Sequence, residues 1–377
     1  MVGRPAVRVV VAEPTYGEDE HAAVNAGLLE AVALGCGPGV FAATARQHAA
    51  VQEAADPAAA PWSWQEIAVV PPGGVHLRRM RAQWRVLSAL VEAHRPNPLV
   101  LLSAGPETLF VARGLVLRHP SLRLFAVMHG NLATAIGWRS RDPRRRLIDL
   151  RAGLRVAQHP RIGLVVLEEH IRSAAIRHGL GRDFLVWPIA VLANEAAPVL
   201  PWSAPPRLRL AFIGTANRHK GFDDFLALHR QAGSPLDWAV VGRPSAEYDA
   251  ADLAGIAVPP SRLGRAAFLA EVRRADYAFM AFRGDYELTA SGSLLDCINQ
   301  RKPMIAVRND MLDGLARRHG PIGYLCDDLA AVHALLSDPL ALRDAAAYAS
   351  FQRALNAIAA TRLPRALAAT VRDNLKC

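Results

Sequence analysis

The stretch Gly284-Asp-Tyr-Glu-Leu-Thr-Ala-Ser-Gly-Ser-Leu-Leu-Asp-Cys-Ile-Asn-Gln-Arg-Lys-Pro-Met-Ile-Ala306 carries most of the information about how this chain folds. The apolar run before it, 277–282, predicts a buried strand, and residues 303–307 predict another. Between them Thr289, Ala290, Ser291, Gly292 and Ser293 form a small-residue loop that opens a helix expected to end near Gln300. A strand, a Gly/Ser loop and a helix N-terminus gather unpaired backbone N–H groups and the positive end of a helix dipole at one spot. That arrangement holds a phosphate without a basic side chain. Asp296 follows one turn into the helix, within reach of a sugar hydroxyl beside such a phosphate. Ser293-Leu-Leu-Asp296 also fits an ordinary capping box, so the segment by itself leaves both readings open.

A second segment favours the anion. Residues 208–213 have a strand pattern, and Gly214-Thr-Ala-Asn-Arg-His-Lys-Gly-Phe-Asp-Asp-Phe225 follows at their carboxyl end. In an open parallel sheet, ligands sit outside the carboxyl ends of the strands. Gly214 permits close backbone approach there, and Arg218 and Lys220 supply cations. The chain has only 3 lysines against 41 arginines, so a lysine at this place suggests a task that arginine does not perform. A solvated loop lysine is the plainer alternative.

Together the two segments resemble the nucleotide-sugar half of GT-B fold glycosyltransferases. In the large retaining group of that fold, a strand leads into Gly-Arg…Lys-Gly-Phe, whose cations hold the donor diphosphate. A later loop opens a helix ending in Glu-Ala-Met-Ala-x-Gly-Lys-Pro-Val-Ile, whose glutamate holds the ribose. Lys220-Gly221-Phe222-Asp223 matches the first motif, Gln300-Arg301-Lys302-Pro303-Met304-Ile305 the tail of the second, and Asp296 falls on the ribose-binding glutamate. The resemblance implies an α/β protein with two Rossmann-like parallel-sheet domains facing a central cleft. It also implies a nucleoside-diphosphate-sugar donor and no metal or other cofactor. Gly214, Arg218, Lys220, Thr289, Ser291, Gly292 and Ser293 would receive the diphosphate, and Asp296 the ribose. Two departures stand out. Thr215 replaces the usual arginine, so Arg218 would supply that charge. Leu288, eight residues before Asp296, replaces the first glutamate of the usual pair. The match therefore bears on fold and donor more than on retaining chemistry.

At 377 residues the chain suits two domains of ordinary size. A hydrophobic content of 51% fits a globular α/β protein rather than a disordered or fibrous one. No window reaches the ~18 apolar residues of a spanning helix, and the N-terminus runs directly into a strand pattern with no secretory signal. Cys36, Cys297, Cys326 and Cys377 are far apart, which predicts neither a disulfide framework nor a zinc site. A cytoplasmic enzyme is the simplest expectation. The net charge of +10 suits a polyanionic partner. Its densest block is Arg139-Ser-Arg-Asp-Pro-Arg-Arg-Arg146, continuing through Arg151, Arg155 and Arg161 with leucines at helical spacing. Such a helix suits the anionic inner face of a membrane, or is simply a solvated basic face. Nucleic acid is not expected, since no nucleic-acid-binding signature accompanies the charge.

Apolar runs alternate with amphipathic stretches throughout, as parallel sheets flanked by helices require. Strands are expected at 7–12, 67–70, 99–103, 122–128, 164–167 and 184–189, with helices near 20–34, 74–94, 106–118, 143–157 and 169–178. Residues 196–207, with prolines at 198, 201, 205 and 206, read as a linker. Strands at 208–213, 237–242, 277–282, 303–307 and 322–325 then restart the pattern, with an amphipathic helix over 262–276. The expected domains are 1–195, an acceptor-side domain; 208–350, a nucleotide-sugar-binding domain; and 351–377, a C-terminal helix returning to the first domain.

Two places in the first half are candidates for chemistry. Phe125-Ala-Val-Met-His129-Gly130-Asn131 ends a strand with a histidine. His129 could bond a donor hydroxyl or deprotonate an acceptor, or else cap the helix that follows. Glu13-Pro-Thr-Tyr-Gly17-Glu18-Asp19-Glu20-His21 enters a helix after the first strand. Glu18, Asp19 and His21 are candidate bases or acceptor contacts, although acids at a helix start also serve its dipole. The expected activity is transfer of a sugar to a glycan or lipid-linked acceptor, retaining or inverting. A nucleotide-sugar epimerase or hydrolase, and a non-catalytic partner in glycan assembly, are the alternatives.

Overall fold

The computed structural model describes residues 9–56, 62–70, 76–95, 98–137, 148–181, 183–231, 236–338 and 340–377. Residues 139–146 of the arginine block lie outside the described residues, whereas Arg151, Arg155 and Arg161 are within them. The chain divides into two compact units. One comprises residues 1–193, 288–290 and 362–377, the other 194–287 and 291–361.

The first unit holds a seven-stranded parallel sheet: β1 (Val10–Ala12), β2 (Val40–Ala43), β3 (Ser63–Glu66), β4 (Leu99–Leu101), β5 (Leu124–Val127), β6 (Ile162–Val166) and β7 (Phe184–Val186). Their spatial order is 3-2-1-4-5-6-7, so the direction of winding reverses between β1 and β4. β1 and β4 are wholly apolar and buried, as strands covered on both faces must be. Two expectations are corrected. β2 and its helix Ala45–Ala54 were not foreseen, because four buried residues without alternation inside alanine-rich sequence leave no periodic signal. The third strand is Ser63–Glu66 rather than 67–70; it is the sheet's edge, and Trp64 is 41% exposed, so no apolar run marks it.

The second unit holds a five-stranded parallel sheet: β8 (Leu208–Ile213), β9 (Leu236–Val241), β10 (Tyr277–Met280), β11 (Met304–Val307) and β12 (Gly323–Cys326). In the order β12-β11-β10-β8-β9, the reversal lies between β8 and β10. Phe212, Phe222, Phe225 and Phe279 stack behind β8 and seat the helix Phe222–Gln231 on the sheet. Residues of the proline-rich segment are tied to this unit: Trp202 stacks on Tyr348 and donates to Asp276 Oδ1 at 2.9 Å. The boundary expected at 350/351 falls inside a continuous helix, Ala345–Thr361; the change of unit comes at Arg362.

The final helix, Pro364–Leu375, packs on the helix Ala22–Cys36 so closely that a Cβ on Gly35 would lie 2.7 Å from Ala368 O. Cys36 and Cys377 form a disulfide there, with Cα atoms 5.3 Å apart. This corrects the expectation of no disulfide; a sequence separation of 341 hid the pair. It also removes one support for a reducing compartment.

Candidate functional site

The second unit brings four expected residues together at its reversal point. β8 ends in Gly214, whose φ of +91° favours glycine. A Cβ there would lie 2.5 Å from Ser293 Oγ and 3.3 Å from Lys220 Nζ, so Gly214 forms the floor on which those two side chains converge. Lys220 reaches this floor because Asn217 Oδ1 accepts from Lys220 N at 3.0 Å and fixes the 3₁₀ turn Arg218–Lys220. Gly221 follows with φ +79°, and its α-carbon passes so near β10 that a Cβ would strike Ala281 O at 2.2 Å. Lys220 Nζ lies 3.4 Å from Ser293 Oγ. Burial lowers the Lys220 ammonium below its ordinary value, partly offset by the nearby Asp296 carboxylate.

Ser293 belongs to the first turn of the helix Gly292–Asn299, and Ser291 is its N-cap, accepting from Leu294 N at 3.2 Å. The N–H groups of Gly292 and Ser293 have no acceptor within the helix, as helix starts require. A Cβ on Gly292 would meet nothing within 4 Å, so that helix end is open. Asp296 does not cap the helix; the capping-box alternative gives way to Ser291. Instead its Oδ1 is 2.8 Å from Arg265 Nη2. Arg265 also forks onto Glu195, with Nε–Oε1 at 2.8 Å and Nη2–Oε2 at 2.6 Å. Burial pushes the Asp296 carboxyl up to about 6, with Arg265 opposing the shift. Neither Arg265 nor Glu195 carries a motif, so sequence reasoning missed both.

Two other expected residues are placed elsewhere. Arg218 is exposed, and its Nε donates to Asp223 Oδ2 at 2.9 Å, away from the Lys220–Ser293 contact. Thr289 falls in residues 288–290, which group with the first unit, and its carbonyl lies 3.4 Å from His170 Nε2. Beside Gly214 and Gly242, at the ends of β8 and β9, opens a cavity of about 460 Å³ lined also by Thr215, Arg243, Arg262 and Phe268. Arg243 and Arg262 are further cations that sequence reasoning missed, because both come from loops without a recognisable pattern.

The first unit gathers a separate group at its own reversal point. Glu13, just after β1, is fully buried. Its Oε1 accepts from Thr15 N and Tyr16 N at 3.0 Å each, and its Oε2 accepts from Ser103 Oγ, just after β4, at 2.7 Å. Burial raises the Glu13 carboxyl, and these hydrogen bonds oppose the rise. The loop so fixed delivers His21, whose ring centroid is 4.4 Å from that of His129, and Tyr16 packs edge-on against His21 at 5.0 Å. Burial lowers both imidazoles, His129 well below its ordinary value with His21 adding to the effect, so both are neutral near pH 7. His129 Nε2 is buried without a hydrogen-bond partner. Glu18 is not part of this group: it is exposed and paired with Arg46. Asp19 O accepts from Ala22 N at 3.2 Å at the start of the first helix.

Among the described residues, no group of three or more His, Cys, Asp or Glu side chains could hold a metal ion, and no helix is long and apolar enough to cross a membrane. No protein-family model matches the chain, and no curated protein does so by sequence. Solved structures do match. HepE from Anabaena in complex with UDP superposes with a TM-score of 0.67 over 98% of this chain and 99% of its own, at 12% identity. Sucrose-phosphate synthase from Thermosynechococcus elongatus gives 0.69 over 98% of each chain at 13% identity. A glycosyltransferase from Rickettsia africae gives 0.68 over 99% of this chain and 98% of its own at 8% identity. At such identities the likeness is one of fold, and that fold, two Rossmann-like α/β units each built on a parallel sheet, is GT-B.

Proposed function

We propose that this chain is a glycosyltransferase that moves a sugar from a nucleoside-diphosphate sugar to a glycan or lipid-linked acceptor. The observation that carries the proposal is the convergence of Lys220, Ser293 and the open helix end at Gly292 on Gly214, at the point where strand order reverses. The chemical task is to stabilise a departing diphosphate. A partly desolvated ammonium and a helix N-terminus supply that stabilisation without reorganising, and no metal ion is needed. Arg243 and Arg262, lining the adjoining cavity, add positive charge beside it. Asp296, ionised above about pH 6, accepts hydrogen bonds from ribose hydroxyls. In the first unit, His129 and His21 are the groups able to bond a sugar hydroxyl or accept a proton.

An epimerase or hydrolase working on the same donor calls for a carboxylate within a histidine cluster. Glu18 is engaged by Arg46, and the carboxylate whose charge reaches His21 is Glu20. HepE has been solved with UDP and with UDP-glucose, which makes uridine nucleotides the first probes. The test is thermal and urea unfolding in the presence of UDP, GDP, ADP and TDP. One of them at 100 times its Kd should add about 2.7 kcal/mol of stability. Failure of all four at millimolar concentration would remove the nucleotide-sugar reading.

A further inference from the structure

One cavity among the described residues lies at neither reversal point. It occupies about 940 Å³ in the first unit, at the amino ends of β5, β6 and β7, the opposite edge of that sheet from His129. Five cationic side chains line it, Arg123, Arg151, Arg155, Arg161 and Lys376, against two carboxylates, Asp183 and Asp373. All four arginines donate to neutral acceptors, Arg155 through a long 3.4 Å bond to Arg151 O. Arg123 donates to Leu375 O at 2.6 Å and to Asn374 O at 2.8 Å. Arg151 donates to Ala135 O at 2.7 Å. Arg161 donates to His119 O at 2.8 Å and Pro120 O at 2.7 Å. Carbonyl partners orient a guanidinium without cancelling its charge, and each guanidinium carries five N–H donors. The cavity is therefore a positively charged concavity in which Arg123, Arg151 and Arg161 are already oriented and the exposed Arg155 and Lys376 stand at its rim.

Its walls are also apolar: Phe125, Leu164, Leu180, Phe184 and Leu185 line it, and Ile176 stands 44% exposed among them. Gly163 in β6 has no side chain where a Cβ would lie 2.6 Å from the Phe125 ring and 3.1 Å from Leu185, so these two side chains share that space. One wall comes from the C-terminal segment, which the Cys36–Cys377 disulfide and the bonds from Arg123 hold in place. A cationic rim over an apolar floor matches a ligand with an anionic head and a hydrocarbon tail. Guanidinium forks suit phosphate oxygens, and apolar walls gain from covering a chain.

We infer that this cavity is a second binding site, for an amphiphilic phosphate, with the phosphate at Arg155 and Lys376 and the tail along Phe125, Leu180 and Ile176. It is independent of the donor site. The probe is decyl phosphate, titrated calorimetrically below its micellar concentration, beside inorganic phosphate and decyl maltoside. Decyl phosphate should bind one to one, at least tenfold more tightly than either control. Arg155→Glu/Lys376→Glu should weaken it at least tenfold, and Ile176→Asp, at an exposed position, at least fivefold, while UDP titrations stay unchanged in both. Sedimentation with phosphatidylglycerol vesicles that is lost in the double variant would identify the source as a bilayer lipid. Decyl phosphate binding without vesicle binding would identify a monomeric amphiphile. The inference falls if decyl phosphate does not bind, if inorganic phosphate binds equally well, or if the charge-reversed protein binds as the parent does.

Discussion

Gly214→Ala is the most direct test of the donor site, because the structure says what the added methyl group meets. At φ +91° an alanine is strained by about 1–3 kcal/mol. The backbone cannot relax toward β9, since Gly214 N is bonded to Val241 O at 2.7 Å and a Cβ on Gly242 would already lie 2.1 Å from Gly214 O. The new Cβ therefore stays 2.5 Å from Ser293 Oγ, and that hydroxyl must rotate away, breaking its 3.4 Å contact with Lys220 Nζ. Stability should fall by about 2–3 kcal/mol in urea unfolding. Nucleoside-diphosphate affinity should fall a further ten- to hundredfold, about 1.4–2.8 kcal/mol, in calorimetric titration of the folded protein. Gly292→Ala, whose Cβ would meet nothing within 4 Å, is the control for stability and should be neutral or stabilising. Parent-like stability and affinity in Gly214→Ala would show that Ser293 and Lys220 are not held by the β8 end as described.

Lys220→Ala should lower donor turnover by about 100-fold or more, because the ammonium stabilises a leaving anion, while changing urea midpoints little, because the cost of burying the charge offsets its attraction to Asp296; parent-like rates would exclude Lys220 from the chemistry. Asp296 has a folded value of about 6 against 3.8 in the unfolded chain, so the native state binds the extra proton. Its stabilising contribution is therefore complete below 3.8 and lost as pH rises through about 6, a change of about 3 kcal/mol that Asp296→Asn should remove from urea titrations across that window; an unchanged slope would refute it. Loop-closure entropy for a bridge spanning 341 residues sets an upper bound of about 6 kcal/mol on the Cys36–Cys377 disulfide. Reductant should thus lower the melting temperature of the parent protein, whereas Cys377→Ser should melt lower and ignore reductant.

Much of the second unit was legible in the sequence because its strands are apolar runs separated by amphipathic helices, and the residues of its candidate site lie in two short motifs. Gly214, Lys220, Ser293 and Asp296 each sit within a few residues of a strand end or a helix start, where the local pattern fixes position. What the pattern could not show was pairing between elements. Arg265 reaches Asp296 from another helix, and Glu195 reaches Arg265 across 70 residues. Arg218 looked equivalent to Lys220 until Asp223 captured its guanidinium. In the first unit, His21 and His129 were visible singly, but their 4.4 Å approach depends on Glu13, which looked like one acid among several. Of the amino-edge cavity the sequence showed Arg151, Arg155 and Arg161 as part of a basic block, but not that Arg123 and Lys376 join them from distant segments.

The two sheets obey one topological rule with different chemical results. In each, a polar contact spans the pair of strands where winding reverses: Glu13 to Ser103 across β1 and β4, and the Gly214 floor beneath Ser293 across β8 and β10. Glu13 is fully buried and its oxygens accept three hydrogen bonds from its own unit, so it has become scaffold, and its effect is to aim the loop that carries His21. The β8–β10 contact is only partly satisfied. Lys220 is desolvated, its one hydrogen bond to Ser293 is long at 3.4 Å, and the adjacent helix end faces open space. An anion arriving at β8–β10 meets the Lys220 ammonium, whereas one arriving at β1–β4 meets the buried Glu13 carboxyl group. The sign of the desolvated group, an ammonium in one unit and a carboxyl group in the other, rather than the shared topology, is the ground on which the proposed anion site is put at β8–β10.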